Sequence, residues 1–383
     1  MVGGKRLMKK LLILNVKKYD GVFWYRVEQF RRKTKELNLI DAQYLSSYLG
    51  EEKLAEVIKK ADAYFMIYGW VVEMLFLDEI LKKRGNKPLI VDVDDKVDEV
   101  NLFSDLYQTY GTKEVRLTNG LWLWKNGVNG FDVEKNKKRI EKVFNILKEA
   151  DLVITTTFKM KEWVENFNKK VVVIPNCIDQ KFFPCLEKKE EKIVKVGWAG
   201  GASHFEDLMT ILPSLKKIME KYPHVEYYQI GQWFGVVEKY IPKSRLKHYG
   251  WVNADGHGYR QACLNLDIGL CPLTPQNFNL YKSSIKFYEY SATKTATLAF
   301  NSLPYCEDII EGENGLLYST PDEFEKKLEF LILNPVKRRL LAQKAYDYVL
   351  KYRNLDEIAK DWALVINELI KAKNENLVFQ QKS

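Results

Sequence analysis

The feature that most restricts the fold is an alternation of short, nearly uninterrupted apolar runs with longer segments whose apolar residues recur every three or four positions. Strands buried on both faces belong to parallel sheets, and parallel strands need crossover connections, usually helices. In the first half the strand candidates are LLILNV (11–16), AYFMIYG (63–69), PLIVDVD (88–94), DLVITT (151–156) and VVVIP (171–175). Amphipathic segments such as EEKLAEVIKKA and KNKKRIEKVFNILKEA lie between them. A charged stretch, PCLEKKEEKI (184–193), interrupts the pattern, which restarts with KVGWAG, EYYQIG, LKHYGWV, LDIGLCPL and TATLAF. The chain therefore reads as two consecutive α/β units joined near residue 190. Its 383 residues, 46% hydrophobic, are enough for two cores.

Several classes are disfavoured early. The five cysteines, Cys177, Cys185, Cys263, Cys271 and Cys306, form no C-x-x-C pair, which argues against a disulfide framework or a zinc site and fits a reducing cytosol. The opening MVGGKRLMKKLLILNV has a basic start like a signal peptide, but its apolar run is short, lacks a small-residue cleavage site and ends in KKYDG. It reads as a first buried strand. No stretch approaches the roughly 18 uninterrupted apolar residues of a membrane span. A charge of +9, with 60 basic and 51 acidic residues interleaved, suits an anionic small molecule, a membrane surface or a nucleic acid. Around 101–135 the alternation fails: LWLWKNGVNGF reads either as aromatics (Trp122, Trp124) folded back onto the core or as an exposed patch for a lipid-linked or bulky acceptor.

Two stretches carry chemistry. VKVGWAGGASHFEDLMTILPSLKKI reads as strand, glycine-rich turn and helix, with Ser203 and Glu206 at capping-box spacing and the helix starting just after Ser203. Gly200 and Gly201 then precede a helix N-terminus, where free amides favour an anion and glycine lets it approach the backbone. A plain tight turn is the alternative. In YKSSIKFYEYSA (281–292), read as a helix, Lys282, Lys286 and Glu289 fall at i, i+4 and i+7 between apolar stripes of Ile285, Tyr288 and Ala292 and of Phe287 and Tyr290. Lysines so spaced repel by about 0.2–0.5 kcal/mol, and a diphosphate beside them relieves the repulsion. Ser283 and Ser284 lie where caps belong, and Glu289 is suited to accept hydrogen bonds from a ribose diol. An ordinary Lys286–Glu289 surface pair is the alternative.

Elsewhere, Asp94 and Asp95 at the end of LIVDVD are candidates for a catalytic base; paired carboxylates also suit Mg2+ or Mn2+, but no metal is expected here. Tyr25 and Arg26 are candidates for the acceptor side. The basic set Arg26, Arg31, Arg32, Lys33 and Lys35 reads as solvated, with anionic lipid as the alternative. His204 reads as a helix-start residue rather than a ligand.

Taken in order, VVVIPNCID (171–179), VGWAGGASH, DIGLCPL, NLYKSSIKFYEYSATKTATLAF and ENGLLY (313–318) resemble the GT-B glycosyltransferases, in particular the family-four group of nucleotide-sugar enzymes. In the first half only the strand-helix order and IVDVDD (90–95) are similar. The resemblance implies an α/β fold of two Rossmann-like domains, with parallel sheets, facing an interdomain cleft. Residues 1–185 would form the acceptor domain, 186–353 the nucleotide-sugar domain, and 354–383 a helix returning to the first. It implies that Glu289 binds ribose hydroxyls, that Gly250, Trp251 and Val252 meet the base, and that Pro175, Asn176 and Asp179 are structural. It implies transfer from a nucleotide-diphosphate-sugar to a glycan or lipid-linked acceptor with retention, no metal and no further cofactor. A cytoplasmic enzyme is the expectation, with peripheral contact at the inner membrane face as an alternative.

Three departures stand out. Tyr281 occupies the place of the family's second glutamate, GGASHFEDL lacks the arginine and lysine usual after the glycine loop, and all four histidines lie in the second half. Lys282 and Lys286 are the expected replacements for that positive charge. A non-catalytic nucleic-acid binder is the main rival, but no RNP, zinc-finger or helix-turn-helix signature supports it, so no nucleic-acid partner is expected. An NAD-linked enzyme lacks its G-x-G-x-x-G fingerprint.

Overall fold

The computed structural model describes residues 8–14, 21–45, 51–68, 77–183, 192–250 and 262–380. Among them the strands, in chain order, are β1 (Lys9–Ile13), β2 (Ile40–Tyr44), β3 (Ala63–Ile67), β4 (Leu89–Val93), β5 (Val115–Arg116), β6 (Trp122–Trp124), β7 (Leu152–Thr155), β8 (Val171–Val173), β9 (Val194–Gly200), β10 (Val225–Gly231), β11 (Leu246–Tyr249), β12 (Ile268–Cys271), β13 (Ala296–Phe300) and β14 (Leu316–Tyr318). The chain forms two compact units that are not contiguous in sequence: 1–97, 137–175 and 355–383 make one, 98–136 and 176–354 the other.

The first unit is built on a six-stranded sheet of order β2-β1-β3-β4-β7-β8, parallel throughout. Every residue of β3, β4 and β7 is buried, which is why these strands read as solid apolar runs. β2 escaped the sequence reading because it lies at an edge and alternates buried Ile40 and Ala42 with the polar Asp41 and Gln43. The helix Leu355–Gln380 packs on this unit, its buried Trp362 stacked on Phe30 at 5.5 Å and edge-on to Phe65 at 5.7 Å.

One carboxylate interrupts the apolar centre. Asp92, the penultimate residue of β4, is fully buried and takes two hydrogen bonds from Arg26, Nε to Oδ1 at 3.0 Å and Nη2 to Oδ2 at 2.8 Å. The remaining arm of the guanidinium donates from Nη1 to the Ile174 carbonyl at 2.9 Å. Arg26 is only 1% exposed and Tyr25 6%, so the expectation that they line an acceptor face is corrected: Asp92 needs a buried counter-ion and Arg26 supplies it. The basic set is likewise not simply solvated. Lys33 is buried and paired with Asp356 at 2.6 Å, while Arg31 and Arg32 grip Glu28 at 2.7 and 2.6 Å.

The second unit holds a parallel sheet of order β11-β10-β9-β12-β13-β14. The strand order reverses between β9 and β12, the position where open α/β sheets bind ligands beyond their C-terminal strand ends. Its core gathers Val196, Leu215, Tyr227, Leu270, Leu298 and Leu328. The 98–136 segment carries a two-stranded antiparallel ribbon, β5 with β6. Here the two tryptophans divide: Trp124 packs on Tyr107 (5.6 Å) and Phe131 (5.5 Å) and donates to the Leu102 carbonyl at 2.6 Å, whereas Leu121, Trp122 and Val128 are exposed. The Arg116 and Lys125 cations lie over the Trp122 ring. No described helix is long and apolar enough to cross a membrane.

Removing one member of a buried ion pair strands the other. Arg26→Ala should therefore cost about 3–5 kcal/mol in urea unfolding, and Arg26→Met with Asp92→Leu should recover most of it. Equal losses in the single and double variants would contradict this account.

Candidate functional site

The site begins where β9 and β12 part. They pair only through Ile268 with Val196 and Gly269 with Gly197. Beyond that point the Tyr290 hydroxyl enters, accepting from Ala199 N at 2.9 Å and donating to the Leu270 carbonyl at 3.5 Å. Tyr290 belongs to the helix Ile285–Ala292, so this bond fixes the helix against both strand ends. At the tip of β9 the Trp198 indole lies beneath Gly200, where a Cβ would come within 2.5 Å of the ring. Gly231, ending β10 at φ +91°, would put a Cβ 2.5 Å from the Gly200 carbonyl. Close packing thus leaves neither Gly200 nor Gly231 room for a side chain.

After Gly201 the backbone makes a 3-10 turn, Ala202–His204, before the helix Phe205–Met209. The expected capping box does not form. The N-cap is His204, with no side-chain cap bond, and Glu206 accepts from Gln276 at 2.7 Å instead. His204 is turned toward the fully buried Asp207, Nδ1 to Oδ2 at 2.7 Å. Oδ1 of Asp207 accepts from Thr274 N (2.7 Å), Thr274 Oγ1 (2.9 Å) and Asn279 Nδ2 (3.0 Å). Burial pushes this carboxyl up, but the His204 and Thr274 hydrogen bonds outweigh it and hold it below the ordinary range.

The 281–292 stretch is not one helix. A 3-10 turn, Asn277–Tyr281, is followed by Lys282 in extended conformation, and the α-helix spans Ile285–Ala292. The serines do not cap it: Ser284 Oγ donates to the Pro304 carbonyl, and Ser283 Oγ accepts from Asn176 Nδ2 at 2.8 Å. Lys282 therefore does not share a helical face with Lys286, yet its charge reaches both Lys286 and His204. Its ammonium sits 4.5 Å from the centre of the Phe278 ring. Lys286 Nζ lies 2.8 Å from His204 Nε2, so Lys286 meets the 3-10 turn that follows the double glycine.

Burial first, then the Lys282 charge, lowers the Lys286 pKa. Burial and the Lys286 charge push His204 down to about 3, against the pull of Asp207, so the imidazole is neutral at ordinary pH. Glu289 is buried one turn further along, and its charge acts on Lys286. The result gathers the turn after Gly200 and Gly201, Lys286 with the Lys282 charge in range, and a deep carboxylate, with the helix's first-turn N–H groups lacking intrahelical acceptors.

Sequence reasoning missed Asp207 and took His204 only as a helix-start residue, which it also is. Their signal was an H-x-x-D spacing directly after the double glycine. Gly250 follows β11 and is exposed, while Trp251 and Val252 lie outside the described residues. Asp94 and Asp95 directly follow β4 in the first unit and are part-exposed. Among the described residues no group of three or more His, Cys, Asp or Glu is arranged to hold a metal ion.

A family model described as glycosyl transferase-like matches residues 214–363. The fold is shared with HepE of Anabaena, solved with UDP, at 13% identity over 94% of this chain and 100% of that one, TM-score 0.62. HepE has also been solved with UDP-glucose. Sucrose-phosphate synthase of Thermosynechococcus elongatus aligns at 15% identity over 95% and 100% of the two chains, TM-score 0.66. A glycosyltransferase of Rickettsia africae aligns at 11% identity over 95% and 99%, TM-score 0.62. No curated protein matches the sequence.

Burial holds His204 well below its ordinary 6.5, and its hydrogen bonds hold Asp207 below its ordinary 3.8. The unfolded chain therefore binds more protons in this interval, and stability falls as pH drops from 6.5 toward 3.8. In His204→Gln the thermal midpoint should depend less steeply on pH over that range. An unchanged slope would remove His204 from the account.

Proposed function

We propose that this chain, which shares its fold with glycosyltransferases, is itself a GT-B glycosyltransferase that moves a sugar from a nucleotide-diphosphate-sugar donor held in its second unit to a glycan or lipid-linked acceptor. The observation that carries the reading is the convergence, beyond the ends of β9 and β12, of the Gly200–Gly201 turn, the N-terminus of Ile285–Ala292 and Lys286. Amides and cations so gathered match a diphosphate. HepE, which shares the fold, was solved with UDP and with UDP-glucose, and the likeness supports the same donor class here.

In this reading Lys282 and Lys286 neutralise the diphosphate, and Glu289 accepts from the ribose hydroxyls. As the bond between sugar and diphosphate lengthens, negative charge grows on the leaving oxygen. Preorganised N–H groups and ammonium ions stabilise it without reorganising. That supply of positive charge underlies the assignment of a metal-independent reaction. Transfer with retention needs no conventional enzymic base; in an inverting reaction Asp94 or Asp95 would take the acceptor proton. The exposed Leu121, Trp122 and Val128, with Arg116 and Lys125 beside them, suit peripheral contact with an anionic lipid surface.

Thermal-shift screening of UDP-, GDP- and NAD-type ligands, followed by NMR of the product anomer, tests the donor class and stereochemistry together. Lys286→Met and Glu289→Gln should each weaken binding of the active nucleotide about ten- to hundredfold, the range of one charged hydrogen bond. Stabilisation by NAD alone, or wild-type affinity in both variants, would refute the donor site. For the lipid contact, Trp122→Ser should lower cosedimentation with anionic vesicles; undiminished cosedimentation would discard that part.

A further inference from the structure

A part-buried structural lysine is ordinarily met by a carboxylate. The hydrogen-bonding partner of Lys286 is instead an imidazole, Nζ to Nε2 at 2.8 Å. A neutral acceptor orients an ammonium without cancelling its charge, leaving that charge for an incoming anion. The direction of each link is fixed by chemistry. A carboxylate only accepts, so Nδ1 of His204 carries the proton shared with Asp207 Oδ2 at 2.7 Å. Nε2 then presents a lone pair, and an ammonium only donates. Asp207 is itself immobilised, its other oxygen holding Thr274 and Asn279.

We propose that His204 and Asp207 are positioning residues for Lys286: Asp207 fixes the imidazole tautomer, and the imidazole anchors one N–H of the ammonium, leaving the other two for the diphosphate. The inference rests on the donor-site reading above and adds to it the device that aims the cation. It also gives binding a proton linkage. Lys286 is lowered by burial and by Lys282, against Cys271, Glu289 and Asp207, which favour its charge. A bound diphosphate restores the charge, so affinity falls as pH rises above the Lys286 pKa of the empty site.

The test has two independent arms. Nitrogen-15 NMR of the histidine rings in the unliganded chain should find His204 protonated at Nδ1 and bare at Nε2, unchanged down to mildly acidic pH. The opposite tautomer, or titration near 6.5, overturns the proposal whether or not any nucleotide binds. Calorimetry with UDP and GDP across neutral to alkaline pH supplies the second arm. His204→Leu should weaken the better nucleotide about tenfold and change its pH profile, whereas His204→Gln, whose amide oxygen replaces the Nε2 lone pair, should stay within about threefold. If Lys286→Met loses affinity but folded His204→Leu does not, the positioning role is wrong and the donor site stands. If Lys286→Met binds like the wild type, the positioning role fails, and the donor site fails with it when Glu289→Gln also binds like the wild type. Equal losses in the Leu and Gln variants, each with wild-type circular dichroism, also reject positioning.

Discussion

The second unit depends on a carboxylate with no exposure to solvent. Asp207 collects donors from His204, Thr274 and Asn279, residues on three separate segments of chain. A buried carboxylate left unpaired would be costly, so the loop after β12, the 3-10 turn after it and the turn after β9 must all be in register before the charge is accommodated. The same bonds that satisfy Asp207 therefore bring the glycine turn and Lys286 to one place. Tyr290 performs the complementary task from below, fastening the lysine-bearing helix to Ala199 and Leu270.

Much of the frame was legible because burial writes itself into composition. β3, β4 and β7 are enclosed on both faces and read as apolar runs; edge strands β2 and β14 carry weaker signals, β2 because half of it is polar and β14 because it spans three residues. Arg26 was misjudged because its partner, Asp92, is distant in sequence and its own neighbours are basic. Charge density suggested a solvated face, and Asp92, one of two acids in the run PLIVDVD, reversed the answer for Arg26.

At the site, the diglycine turn and the lysines were found from local spacing, but their support was not. A capping box at Ser203 was a sound local expectation that a tertiary bond overrode, since His204 turns to Asp207 and Glu206 to Gln276. The helical wheel likewise placed Lys282 and Lys286 together for the wrong reason. They are neighbours through a turn and a helix start rather than along one face. The aromatic stretch offered two readings, and each tryptophan took one of them.

Arg26 reaches the Ile174 carbonyl 148 positions away, and Trp362 covers Phe30 and Phe65. On a ribosome, which delivers the chain from its N-terminus, the first sheet is thus made long before the helix that shields it. All of 176–354 emerges in between. The later-born unit can close its core while the earlier one still waits, with two aromatic rings uncovered, for the final helix to arrive. In this connectivity the unit whose synthesis starts first is also the one whose last helix is made last.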